Sequence, residues 1–194
     1  MSMLDQRVKT LLVAAAASAA WLAAAVAAPN SYPARYDFGT APTPQELAKF
    51  FAIPPDGAGL PPGKGTHAEG KAVFAETCAV CHGEKLEGIL APEYKGDKLI
   101  GGRGTLNTPT PVKTVESYWP YATTVFDYVK RAMPLTAPGS LGDDQVYAVT
   151  AYILGEANII GKSDVLDAKT LPQVKMPNRD GFFRDPRPEL ELYR

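Results

Sequence analysis

Apolar residues recur at helical spacing in three stretches, and polar turn residues separate them. In the first, Thr66-His67-Ala68-Glu69 sets a hydroxyl and a carboxylate at the spacing of a reciprocal N-terminal cap, and Gly70, Val73, Phe74 and Thr77 follow on one face. The second begins at Pro120 and carries Tyr121, Val125, Tyr128, Val129 and Ala132 until Met133-Pro134 ends it, because proline cannot continue a helix. The third opens after Ser140-Leu141-Gly142, with Asp143 and Asp144 near its positive end. Val146, Tyr147, Val149, Tyr152 and Ile153 form its buried side before Gly155. Gly70 and Phe74 stand one turn apart, a gap beside an aromatic that admits a second helix, and Tyr152 or Val149 is expected to pack across it.

The flanks read differently. Arg7 and Lys9 precede an alanine-rich apolar run from Leu11 to Ala28 with small residues at Ala25-Val26-Ala27, the layout of an export signal over residues 1–27; an uncleaved membrane anchor is the alternative. Residues 28–65 form a proline-rich arm with one short helix expected after Thr43-Pro44-Gln45-Glu46, then turns at Pro54-Pro55-Asp56-Gly57 and Leu60-Pro61-Pro62-Gly63. Residues 83–116 read as a long connection holding Gly101-Gly102-Arg103-Gly104, and a loop of that length usually has a task. In residues 157–194 lysines and arginines alternate with acids around Phe182, Phe183 and Tyr193. That is the pattern of an extended arm lying on its own domain or on a partner.

Composition narrows the picture. Eighteen prolines and seventeen glycines leave little helix outside the three periodic stretches. A formal charge of −1 excludes non-specific nucleic-acid binding as the default function. The chain has only two cysteines, and they fall in Cys78-Ala79-Val80-Cys81-His82. This is the attachment pattern of haem c: two thiols one turn apart match two porphyrin vinyl groups, and the adjoining imidazole becomes the proximal iron ligand. A zinc site would need further ligand pairs. A thioredoxin-like redox pair would need a strand-rich setting, and a disulfide across so short a loop would stabilise little.

Four methionines are present, and beyond the leader only Met133 and Met176 remain as candidates for the sixth iron position. Met133 lies between the haem motif and the last helix, where the following proline can turn its thioether toward the metal, so it is the expected distal ligand; Met176 and a purely packing methionine are the alternatives. Arg103, among glycines, is a candidate partner for a haem propionate, the alternative being a solvated arginine in a turn. His67 is expected to be a solvated side chain rather than a ligand.

The order of these parts resembles the class I cytochrome c family over about residues 66–156. The resemblance implies an all-α fold of three main helices around one covalent haem, with long irregular N- and C-terminal arms at 28–65 and 157–194. A narrower resemblance rests on Pro55-Asp56-Gly57-Ala58-Gly59-Leu60, Gly101-Gly102-Arg103-Gly104-Thr105-Leu106, Ser117-Tyr118-Trp119-Pro120-Tyr121, Arg131-Ala132-Met133-Pro134 and Met176-Pro177-Asn178-Arg179-Asp180-Gly181-Phe182. These look like the SoxD-like cytochrome subunits of bacterial sulfane or sulfite dehydrogenases. That resemblance implies a periplasmic electron-transfer subunit beside a molybdenum-containing dehydrogenase, delivering to a downstream cytochrome or oxidase. It touches a membrane only if the leader is retained. The competing readings are an independent soluble carrier serving a terminal oxidase and a haem-based ligand sensor with an open sixth position.

Overall fold

A computed structural model describes residues 40–41, 43, 52–91 and 95–188. The chain divides into two units, Met1–Lys49 and Phe50–Arg194. The expected leader at 1–27 and the short helix expected after Thr43 lie outside the described residues. Among the described residues no helix is long and apolar enough to cross a membrane.

The second unit is built on helices α1 (His67–Thr77), α2 (Ala79–His82), α3 (Ala122–Ala132) and α4 (Asp143–Glu156). Short strands β1 (Lys64–Thr66), β2 (Ile89–Leu90), β3 (Lys95–Gly96) and β4 (Val165–Asp167) connect and brace them. The cap on α1 forms as its residues dictate. Glu69 N donates to Thr66 Oγ1 at 3.3 Å, and Thr66 N donates to Glu69 Oε2 at 2.9 Å. The α4 start is held by Gln145, whose side chain accepts from Gly142 N at 2.9 Å.

Helices α1 and α4 cross at Gly70. A Cβ on Gly70 would lie 1.8 Å from the Ala148 carbonyl oxygen and 2.8 Å from Tyr152 Cβ, so only hydrogen fits between the backbones. Phe74 then meets Tyr152 with ring centroids 5.2 Å apart, the contact expected from their spacing. Every residue of α4 from Val146 to Gly155 is buried, which makes it the central element of the core. Helix α3 covers a neighbouring side with Ala122, Val125, Phe126 and Val129. Its start is one residue later than Tyr121, which caps it, and Tyr128 is exposed, standing edge-on against Trp119 at 5.6 Å. Phe126 takes the buried place instead, 4.4 Å from Tyr147.

Residues 157–178 lie on their own domain. β4 pairs antiparallel with β1 in the register Lys64↔Asp167, Gly65↔Leu166, Thr66↔Val165, and Leu166, Leu171 and Met176 are buried in the same core as α4. Residues 53 and 61, ahead of β1, are stitched down as well: the buried Asp127 accepts from Ile53 N at 2.9 Å and pairs with Arg131, and Tyr147 Oη donates to the Pro61 carbonyl at 2.9 Å.

Burial, reinforced by Asp143 and Asp167, pushes the Tyr147 phenol up to about 12 from its usual 10.0. A raised acid pKa means that the fold holds the protonated form. This contribution to stability is complete below the unfolded value of about 10 and fades as pH rises through 12. Ultraviolet titration of the tyrosines is expected to show one phenol ionising only with alkaline unfolding. Tyr147→Phe should remove that late step and cost about 1 kcal/mol for the lost hydrogen bond.

Candidate functional site

Cys78 is the joint between α1 and α2. Its backbone N–H still bonds Phe74 O at 2.9 Å, while its own carbonyl accepts from Cys81 N at 3.1 Å and His82 N at 2.9 Å. The attachment pattern is therefore one tight turn of helix set at a bend, with its two cysteines unpaired and half-buried and His82 immediately after them. Burial raises the Cys78 thiol pKa, Cys81 adds to the rise, and the hydroxyl of Thr77, 3.3 Å from the sulfur, opposes it. Gly83, at φ 77°, closes the turn beside Glu87, whose carboxylate accepts from Lys85 N at 2.7 Å.

The imidazole of His82 is oriented from below. Its Nδ1 lies 2.7 Å from the Asp97 carbonyl oxygen. A carbonyl can only accept, so Nδ1 carries the proton and the lone pair is left on Nε2, the tautomer that an iron ligand needs. The connection after His82, expected as loop, contains the β2–β3 hairpin that delivers this carbonyl. The pairing is Ile89↔Gly96 and Leu90↔Lys95. Leu86 anchors the hairpin at 1 % exposure, Gly88 N bonds His82 O at 2.8 Å, and Leu99 N bonds Leu86 O at 2.9 Å. Gly96 lies directly on the Cys81 backbone, where a Cβ would come within 2.6 Å of the carbonyl oxygen. Sequence reasoning missed Asp97, since any residue carries a carbonyl; Gly96 was its one visible trace.

The other expected site residues fall as follows. Met133 caps the C-terminal end of α3 in extended conformation, its N–H bonded to Val129 O at 3.1 Å, and it is half-buried against the same core that Cys78 touches. Met176 is 3 % exposed and packed within that core. Arg103 stands half-exposed in a turn and is ion-paired there: Nε pairs with Glu116 at 2.6 Å and Nη2 donates to Ala157 O at 2.7 Å, tying the glycine loop to the end of α4. Glu116 also accepts from Gly101 N, and Thr114 Oγ1 donates to Gly101 O at 2.7 Å. His67, expected in solvent, is largely buried at the α1–α4 crossing, with Nε2 2.7 Å from Glu156 Oε1 and its ring 5.1 Å from Tyr152. Lys162, then His67, hold the Glu156 carboxyl below its usual pKa.

The Cytochrome c family model matches residues 67–156, from the first residue of α1 to the last of α4. A chain in the crystal structure of the sulfane dehydrogenase SoxCD from Paracoccus pantotrophus superposes with a TM-score of 0.69 at 42 % identity, over 81 % of this chain and 76 % of that one. The chain belongs to the class I cytochrome c family. Thiosulfate dehydrogenase of Stutzerimonas stutzeri (strain A1501) is 32 % identical over 114 residues, which are 58 % of this chain. The match covers 34 % of that protein, so this cytochrome spans about a third of its length.

Haem c is accordingly the cofactor, and this cytochrome is an electron carrier. The donor set fits it: two free thiols one turn apart and a histidine with Nε2 left available by its own hydrogen bond. Bound haem supplies a reversible one-electron change at iron. The protein's share is to fix the thiols, the imidazole and the surrounding apolar wall.

Proposed function

We propose that this cytochrome is the electron-accepting subunit of a periplasmic sulfur-oxidising dehydrogenase whose molybdenum centre lies on a second polypeptide. Cys78 and Cys81 carry the thioether links, His82 is the proximal ligand and Met133 the distal one. Arg103 keeps Nη1 for a haem propionate while Nε and Nη2 hold the loop. A histidine–methionine pair favours ferrous iron and a raised potential, which suits outer-sphere transfer to a downstream cytochrome or oxidase.

The observation that carries this reading is the extent of the likeness to the SoxCD chain. At 81 % of this chain it reaches well beyond the cytochrome core at 67–156, so flanking segments are shared too. A carrier that diffuses freely has no need of such flanks. The test is affinity purification of the tagged chain from the periplasm of thiosulfate-grown cells, with molybdenum and haem quantified. The expected result is a second polypeptide with molybdenum in equal proportion to haem. Haem alone on a monomer at low salt would point to the independent carrier.

A further inference from the structure

Past the buried Met176, residues 177–187 make no regular helix or strand, yet residues 178–182 are fastened to one strip of the domain, Tyr118-Trp119-Pro120-Tyr121, which leads into α3. Asn178 Nδ2 donates to Tyr118 O at 2.7 Å. The Arg179 guanidinium lies 5.6 Å over the Tyr121 ring. Phe182 meets Tyr118 edge-on at 5.1 Å, with Lys113 5.2 Å from that same ring. These side-chain contacts hold residues 178–182 against the strip and leave the phenylalanines largely uncovered: Phe182 is 51 % and Phe183 89 % exposed.

An isolated exposed apolar side chain needs no explanation, but adjoining phenylalanines held on a braced extended segment are different. The contact of Phe182 with Tyr118 restricts the backbone next to Phe183, so burying Phe183 elsewhere costs less conformational entropy than it would on an unheld tail. Aromatic and arginine side chains are also the types that dominate interface energetics. The strip lies at one end of α3, and Met133 at the other, an axial span of about 17 Å at 1.5 Å per residue.

We infer that residues 177–188 form the docking element for the dehydrogenase subunit, with Phe183 entering an apolar pocket of that subunit and Lys113 and Arg179 facing carboxylates at the pocket's rim. The inference rests on the dehydrogenase-subunit reading above. Two observations favour that occupant. The likeness to the SoxCD chain extends outside the cytochrome core. The cations on the strip, Lys113 and Arg179, call for an acidic counterpart.

The experiment uses the full-length holoprotein and the molybdenum-bearing subunit isolated with it. Binding of wild type, Phe183→Ala and Phe182→Ala is measured by calorimetry at two salt concentrations, with the visible spectrum and reduction potential of each variant as controls. Phe183→Ala is expected to weaken binding by about tenfold or more, and wild-type affinity to fall with added salt, while spectrum and potential stay those of the wild type. Phe182→Ala, which loosens the brace on Tyr118, should weaken it less. Unchanged binding by Phe183→Ala overturns the docking assignment while leaving the subunit reading intact. A Phe183→Ala chain that loses only self-association overturns it in favour of a second copy as occupant. Failure of the wild type itself to bind any molybdenum subunit overturns the subunit reading.

Discussion

Gly70→Ala lowers the unfolding free energy of the holoprotein by about 2–4 kcal/mol and its thermal midpoint by roughly 10 °C, although alanine is by about 1 kcal/mol the better helix former. The reversal of sign is the informative part. The added methyl would stand 1.8 Å from the Ala148 carbonyl, which belongs to helix backbone and cannot swing aside. Helices α1 and α4 must separate, and the Phe74–Tyr152 contact and the His67–Glu156 pair open with them. Because α1 runs directly into the Cys78 turn, part of the damage is expected to appear as slower haem attachment during maturation. Calorimetry on purified holoprotein checks this. A midpoint equal to or above the wild type would show that the crossing is looser than its geometry implies.

Met133→Ala removes the proposed distal thioether without touching the attachment turn. The methionine–iron charge-transfer band of the ferric protein is expected to vanish, carbon monoxide to bind the ferrous protein readily, and the reduction potential to fall by on the order of a tenth to a few tenths of a volt. The sign follows from thioether preference for ferrous iron. Met176→Ala is the control: it empties a buried core position and should cost about 2–5 kcal/mol of stability with the charge-transfer band intact. Spectra and potentials that respond to Met176 and not to Met133 would exchange the two roles. A wild-type protein that already binds carbon monoxide readily would favour the ligand-sensor reading.

How much of this was legible in the sequence depended on whether the deciding interaction was local. The Thr66–Glu69 cap, the glycine–aromatic pair on α1 and the attachment pattern are all set within one or two helical turns, so their residues announce them. The segment after Glu156 was legible as an extended arm, without a sign of how much of it enters the core. Its core contacts come from Leu166, Leu171 and Met176, spaced too irregularly for any periodic signal, and its strand pairs across about a hundred residues with β1. His67 was misjudged because its burial depends on Glu156 arriving from α4. Arg103 likewise depends on Glu116 and on the carbonyl that ends α4. On α3 helical spacing pointed to Tyr128, and the aromatic that meets Tyr147 is Phe126, two positions earlier, because which face is buried is a tertiary fact.

The central claim is that sulfur-derived electrons reach this cytochrome from a molybdenum subunit, and stopped-flow mixing tests it most directly. Ferric holoprotein is mixed with the copurified subunit and either thiosulfate or sulfite, and the visible spectrum is followed. The account predicts conversion to the ferrous spectrum within the turnover time of the subunit, with one electron equivalent taken up per chain. A spectrum that stays ferric while the subunit oxidises its substrate with an artificial acceptor would contradict it.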